Sequence, residues 1–96
     1  MEYHFKRKEL EELGFRPNNK GFNYLYDAIN IRISHPDKSL ASIFSHIALK
    51  NDTRYVENIK RAISNCLRSC SSSFRNQSVP IAISNLALMF IENTKN

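Results

Sequence analysis

Glycine, proline and cysteine are all scarce in this chain of 96 residues, at two, three and two copies. With 42% hydrophobic residues beside so few breakers, the composition excludes a disordered chain and fits a globular one. Long apolar runs are missing as well. No stretch approaches the roughly 18 uninterrupted apolar residues of a membrane span. The start, Met1 to Lys8, carries basic residues with no apolar run behind them, so it does not read as a signal peptide. These absences predict a cytoplasmic protein with no membrane partner.

Cysteine is too sparse for a disulfide framework. Cys66 and Cys70 share one helix face, where a bridge would strain the helix and a reducing cytosol would oppose it. They are expected to be buried free thiols. A zinc site would need two more ligands, and His4, His35 and His46 show no metal spacing with the cysteines. Neither a metal nor a cofactor is therefore expected. The serines of Ser69 to Ser73 have no histidine and acid arranged to activate them. The chain reads as a non-enzyme with no small-molecule substrate. It also lacks an internal repeat, a glycine-rich phosphate loop and a β-strand pattern.

What is present is positive charge. Fourteen Lys and Arg against nine Asp and Glu give +5 and a pI near 9.5. The excess favours an anionic partner, most commonly nucleic acid, with an acidic protein or membrane surface as alternatives. The length suits one small domain, burying about 60–65% of its unfolded surface.

The periodicities predict an all-α fold, a single-domain helical bundle of about five helices. Glu2 to Leu13 reads as a short helix with Phe5, Leu10 and Leu13 inward and a basic cluster at Lys6, Arg7 and Lys8. Gly14 ends it, and residues 16–19 form a loop. Lys20 to Ile33 carries Phe22, Leu25, Tyr26, Ile29 and Ile33 on one side and Tyr24, Ala28 and Ile31 on another. A helix apolar on two sides belongs at the centre. Pro36 biases His35 out of the helical region and closes it. A last helix opens at Ser78, with Pro80 in its first turn and Val79, Ile83, Leu86, Ala87 and Phe90 inward. Leu88, Met89 and Ile91 spill beyond that stripe and are a candidate dimer surface. Glu92 to Asn96 is a polar tail expected to fray.

Between these lies Ser39 to Ser71, read as two helices and a tight turn. Ser39 can cap the first of them, whose inner face is Leu40, Ile43, Phe44 and Ile47, with His46 half-buried at its edge. Asn51, Asp52 and Thr53 favour a turn because their side chains compete for backbone hydrogen bonds. The second helix, about 54–70, turns Val56, Ile59, Ile63, Cys66, Leu67 and Cys70 inward. At about 100° per residue the opposite face collects Arg54, Asn58, Arg61, Asn65 and Arg68. Arg forks onto guanine O6/N7 and Asn pairs with adenine N6/N7. Glu57 sits at the margin of that stripe, near the positive end of the helix dipole. Short helix, polar turn and basic second helix predict a helix-turn-helix over about 39–71. A helical hairpin with a solvated charged face gives the same pattern.

Lys20-Gly21-Phe22-Asn23-Tyr24-Leu25-Tyr26-Asp27-Ala28-Ile29 resembles the Lys-Gly-aromatic-x-Tyr-Leu-x-x-Ala-Ile run of one family. That family is the C-terminal effector domain of the stage zero sporulation response regulator. Leu13-Gly14, Ile47-Ala48 with Lys50, Ile59 to Ile63, Pro80 and Leu86-Ala87 are similar too, so the likeness runs from about Leu10 to Glu92. The resemblance implies a DNA-binding transcriptional regulator whose fourth helix enters the major groove. It implies that Arg61 works at DNA, with Asn58 standing where the family has Arg, Lys60 where it has Glu, Ser64 where it has Arg and Asn65 where it has His. The family's preferred DNA box therefore does not transfer. The segment 71–79 is shorter than in the family, and no phosphoacceptor receiver is expected ahead of the domain. Arg54, Asn58, Lys60, Arg61, Ser64, Asn65 and Arg68 are the expected DNA-binding set, with Lys60 on phosphate. Double-stranded DNA is the expected partner, with a homodimer, or a heterodimer with a related regulator, through the last helix. The alternative is an interaction module that pairs with a full-length relative and modulates it without reading DNA specifically.

Overall fold

The computed structural model describes residues 6–53 and 55–94, with side chains through residue 91. Among them are five α-helices, one 3-10 turn and no strand, as the periodicities require. The helices are α1 (Arg7–Glu12), α2 (Lys20–Ser34), α3 (Leu40–Lys50), α4 (Val56–Arg68) and α5 (Val79–Thr94). Phe5, expected inside the first helix, lies outside the described residues. The helical pattern continues through Thr94, past the expected start of a frayed tail at Glu92. The segment between α4 and α5 contains a 3-10 turn at Ser73–Asn76.

α2 is the central element. It packs against α3, α4 and α5, as its two apolar sides demand. Phe22, Leu25, Ala28 and Ile29 are fully enclosed there, while Tyr24 and Ile31 pack partly against the same core. Asn19 caps α2 by accepting from the Gly21 amide at 2.9 Å. That cap, within a stretch read as loop, satisfies one of the first-turn amides left free by helix geometry. α2 approaches α4 closely at Gly21, where an added Cβ would overlap the Ala62 carbonyl. Arg7 of the basic cluster does not stand free in solvent. Its guanidinium lies over the rings of Phe22 (5.4 Å) and Tyr26 (5.8 Å), anchoring α1 on α2.

Two helices end in the same device. After α1, the Phe15 amide donates to Leu10 O (3.2 Å) and the Gly14 amide to Glu11 O (3.0 Å). After α3, the Thr53 amide donates to Ala48 O (3.0 Å) and the Asp52 amide to Leu49 O (3.1 Å). Both are Schellman ends, which need a left-handed residue at the turn. Gly14 supplies it at φ +100° and Asp52 at φ 55°. The turn also holds Asn51 Nδ2 donating to Ile47 O at 2.7 Å.

The exit from α4 is stitched to the α1–α2 loop. The Ser71 amide donates to Gly14 O at 3.2 Å, and Asn19 Nδ2 donates to Ser69 Oγ at 3.3 Å. Phe74, in the 3-10 turn, is buried against Phe15 with ring centroids 5.7 Å apart. Cys66 and Cys70 are buried free thiols. No helix of the described residues is long and apolar enough to cross a membrane.

Candidate nucleic-acid interface

α3 and α4 carry the residues that the sequence singles out. Ser39 caps α3 through its side chain, which accepts from the Ser42 amide at 3.2 Å. Arg32 reaches across the preceding loop, donating to Pro36 O (3.1 Å) and Lys38 O (2.7 Å), and so fixes where α3 begins. Lys50 at the far end of α3 pairs with Asp27 of α2 at 3.2 Å. These ties hold α3 at both ends.

α4 starts two residues later than the expected 54 and ends two before 70. Its N-cap is Tyr55, with no side-chain cap bond. Ile59, Ile63, Cys66 and Leu67 are buried and Val56 is half-buried, so the apolar stripe faces the protein. Asn58, Arg61, Asn65 and Arg68 are all exposed on the other side. Among the described residues none of these four side chains has a hydrogen-bond or ion-pair partner. A guanidinium or carboxamide with no internal partner keeps its full donor and acceptor capacity for a ligand.

Three expected members stand differently. Lys60 Nζ is 3.3 Å from Glu57 Oε1, an exposed i,i+3 pair that screens the charge assigned to phosphate. Ser64 is only half-exposed, on the flank of the row. Arg54 lies outside the described residues. Among the described residues no acid is buried behind the row, and Glu57 is paired with Lys60, so the described outer face of α4 is net positive.

Two exposed apolar residues near the α3–α4 turn were not singled out by the sequence. Leu49 is 82% exposed at the end of α3, and Tyr55 is 65% exposed at the leading end of α4. Leu49 falls opposite Ile43 and Ile47 on the helical wheel, which is the signal that marks it. His46, expected half-buried, is exposed because it shares that outer side of α3 with Ser42, Ser45 and Leu49. On α5, Leu88 is exposed as expected of a contact surface. Met89 and Ile91 instead pack partly against the core. Ile81, two turns before Leu88, is the other exposed apolar residue on that helix. The residues from Val79 to Ile91 include no charged side chain.

Burial raises the Cys66 thiol from an ordinary 9.0 to about 11, with Cys70 beside it adding to the shift. A thiol so placed stays protonated and takes no part in surface chemistry. No protein-family model, curated protein or solved structure matches this chain.

Proposed function

We propose that this chain is a DNA-binding transcriptional regulator, with α3, the 51–55 turn and α4 acting as a helix-turn-helix. α4 enters the major groove, and Asn58, Arg61, Asn65 and Arg68 face the bases. The observation that carries this reading is the unpartnered row of two guanidinium and two carboxamide groups on the outer face of α4. The positive net charge supports it by favouring an anionic partner. The likeness of residues 20–29 to the sporulation regulator's effector domain supports it from the sequence side. Partly exposed Lys60 belongs at the edge of the groove, where it exchanges Glu57 for a phosphate.

The test is a duplex titration read by fluorescence anisotropy across a range of salt. The logarithm of the binding constant should fall with log salt by about 0.9 per phosphate neutralised. Arg61→Ala should weaken binding to a selected site by about 1–3 kcal/mol, with circular dichroism unchanged. Equal affinity of wild type and Arg61→Ala for that site would remove α4 from the groove.

A second reading rests on Ile81 and Leu88, exposed on the uncharged side of α5. There the chain pairs with a second copy or with a related regulator, and modulates that partner.

A further inference from the structure

The row on α4 is one four-residue unit written twice. Asn58-Ile59-Lys60-Arg61 is followed at once, after Ala62, Ile63 and Ser64, by Asn65-Cys66-Leu67-Arg68. Each unit is Asn-x-x-Arg, and the second begins seven residues after the first. Seven residues are close to two helical turns, so both units occupy the same angular position, about 10.5 Å apart along the axis. In both, the residue after Asn is buried, which fixes the rotation of the unit against the core: Ile59 in the first, Cys66 in the second. Asn and Arg within a unit are three apart and therefore neighbours on the helix surface.

The two side chains ask for different bases. A carboxamide offers one donor and one acceptor, which matches adenine N6 and N7. A guanidinium offers donors only, which matches guanine O6 and N7 and leaves the adenine amino group without an acceptor. In groove-bound helices, positions about three residues apart meet successive bases. The row Asn58, Arg61, Asn65, Arg68 runs at spacings of three, four and three.

Resting on the groove assignment above, we infer that α4 reads a duplex segment in which adenine and guanine contacts alternate, each unit reading the same step. The two steps lie two to three base pairs apart: seven residues at about three per base give a little over two, and about 10.5 Å of helix over base pairs of about 3.4 Å gives about three. The ligand is thus B-form DNA carrying a short purine repeat at that interval. Double-stranded RNA of the same sequence is excluded as the ligand, since its major groove is too narrow for side chains to read.

The experiment selects bound duplexes from a random pool with wild type, Arg61→Asn, Arg68→Asn and Asn65→Arg, all four being checked by circular dichroism. Exposed positions on α4 tolerate such changes without unfolding. Wild type should enrich a segment with A·T and G·C at alternating positions. Arg61→Asn should convert one G·C to A·T, and Arg68→Asn another, two to three base pairs away in the same direction. Asn65→Arg should convert an A·T between them to G·C. Each converted position should change its preference by about tenfold or more. A wild-type motif whose base preferences stay in place in all three variants overturns the repeat reading and leaves DNA binding intact. No enriched duplex with wild type overturns both.

Discussion

Gly14 and Asp52 hold the same position in the same kind of helix end, yet they meet it at different cost. Both backbones are left-handed, where any side chain but glycine's is strained by about 1–2 kcal/mol. At Gly14 a Cβ would also overlap Ser71 Oγ, in the stitch that holds the exit of α4. Gly14→Ala should therefore destabilise by about 2 kcal/mol or more. Asp52→Gly should stabilise by up to about 1 kcal/mol, since it relieves strain but frees the unfolded chain. Thermal unfolding of the two variants checks both signs. A thiol gives a second residue-scale expectation. Cys66 holds its proton more tightly folded than unfolded, from 9.0 up to about 11. Its contribution is then fully present below pH 9 and is lost as pH rises through that window, because the unfolded state deprotonates first. Cys66→Ala should flatten the decline in stability between pH 9 and 11 in denaturant titrations.

At the scale of the element, α4 is a helix with an apolar inner face and a polar outer one. Its inner stripe buries Ile59, Ile63, Cys66 and Leu67, and its outer row is exposed. Both were legible in the 3.6-residue rhythm, because burial of a stripe on one side leaves the opposite side to solvent whatever the fold. What sets the height of α4 above α2 is Gly21. The helix backbones touch there so closely that a methyl group on residue 21 meets the Ala62 carbonyl. Gly21→Ala raises intrinsic helix propensity, and in an isolated helix it would stabilise by about 0.8–1 kcal/mol. Here it should destabilise by roughly 1–3 kcal/mol, as overpacking does, and lower the melting temperature. A higher melting temperature would mean that α2 and α4 do not pack in this register. Periodicity could not reveal this contact, since glycine in a helix pattern carries no sign of what approaches it.

Across the whole molecule the charge is uneven. Residues 79–91 carry none, whereas the chain as a whole has 24% charged residues and a net charge of +5. Net positive charge keeps copies apart, and a helix without charge lowers that repulsion locally. Ile81 and Leu88, at 56% and 58% exposure, mark its outer side. If copies pair through α5, Leu88→Glu should lower the mass in sedimentation equilibrium, while Met89→Ala should act mainly on stability. An unchanged mass for Leu88→Glu removes α5 as a contact surface. The helix count, the central place of α2 and the order of the elements were all readable beforehand. The 3-10 turn at Ser73–Asn76 was not, because Phe74 is one apolar residue in a polar stretch and it buries against segments distant in sequence, Phe15 among them, 59 positions away. Met89 and Ile91 were misplaced for the opposite reason. Helix α5 has apolar residues on more sides than one, so a wheel cannot say which side the rest of the chain covers.

The sequence by itself determined that the chain is all-α, where α2, α3 and α4 begin and end to within two residues, and which side of α4 is polar. Those follow from local rules, in which caps, turns and a 3.6-residue period act within a few residues of one another. Only the tertiary structure decided which polar side chains are left without a partner. It paired Lys50 with Asp27, laid Arg7 over Phe22 and Tyr26, and left Asn58, Arg61, Asn65 and Arg68 open. Packing between distant segments and the positions of individual side-chain heads settle that, and composition and period carry neither.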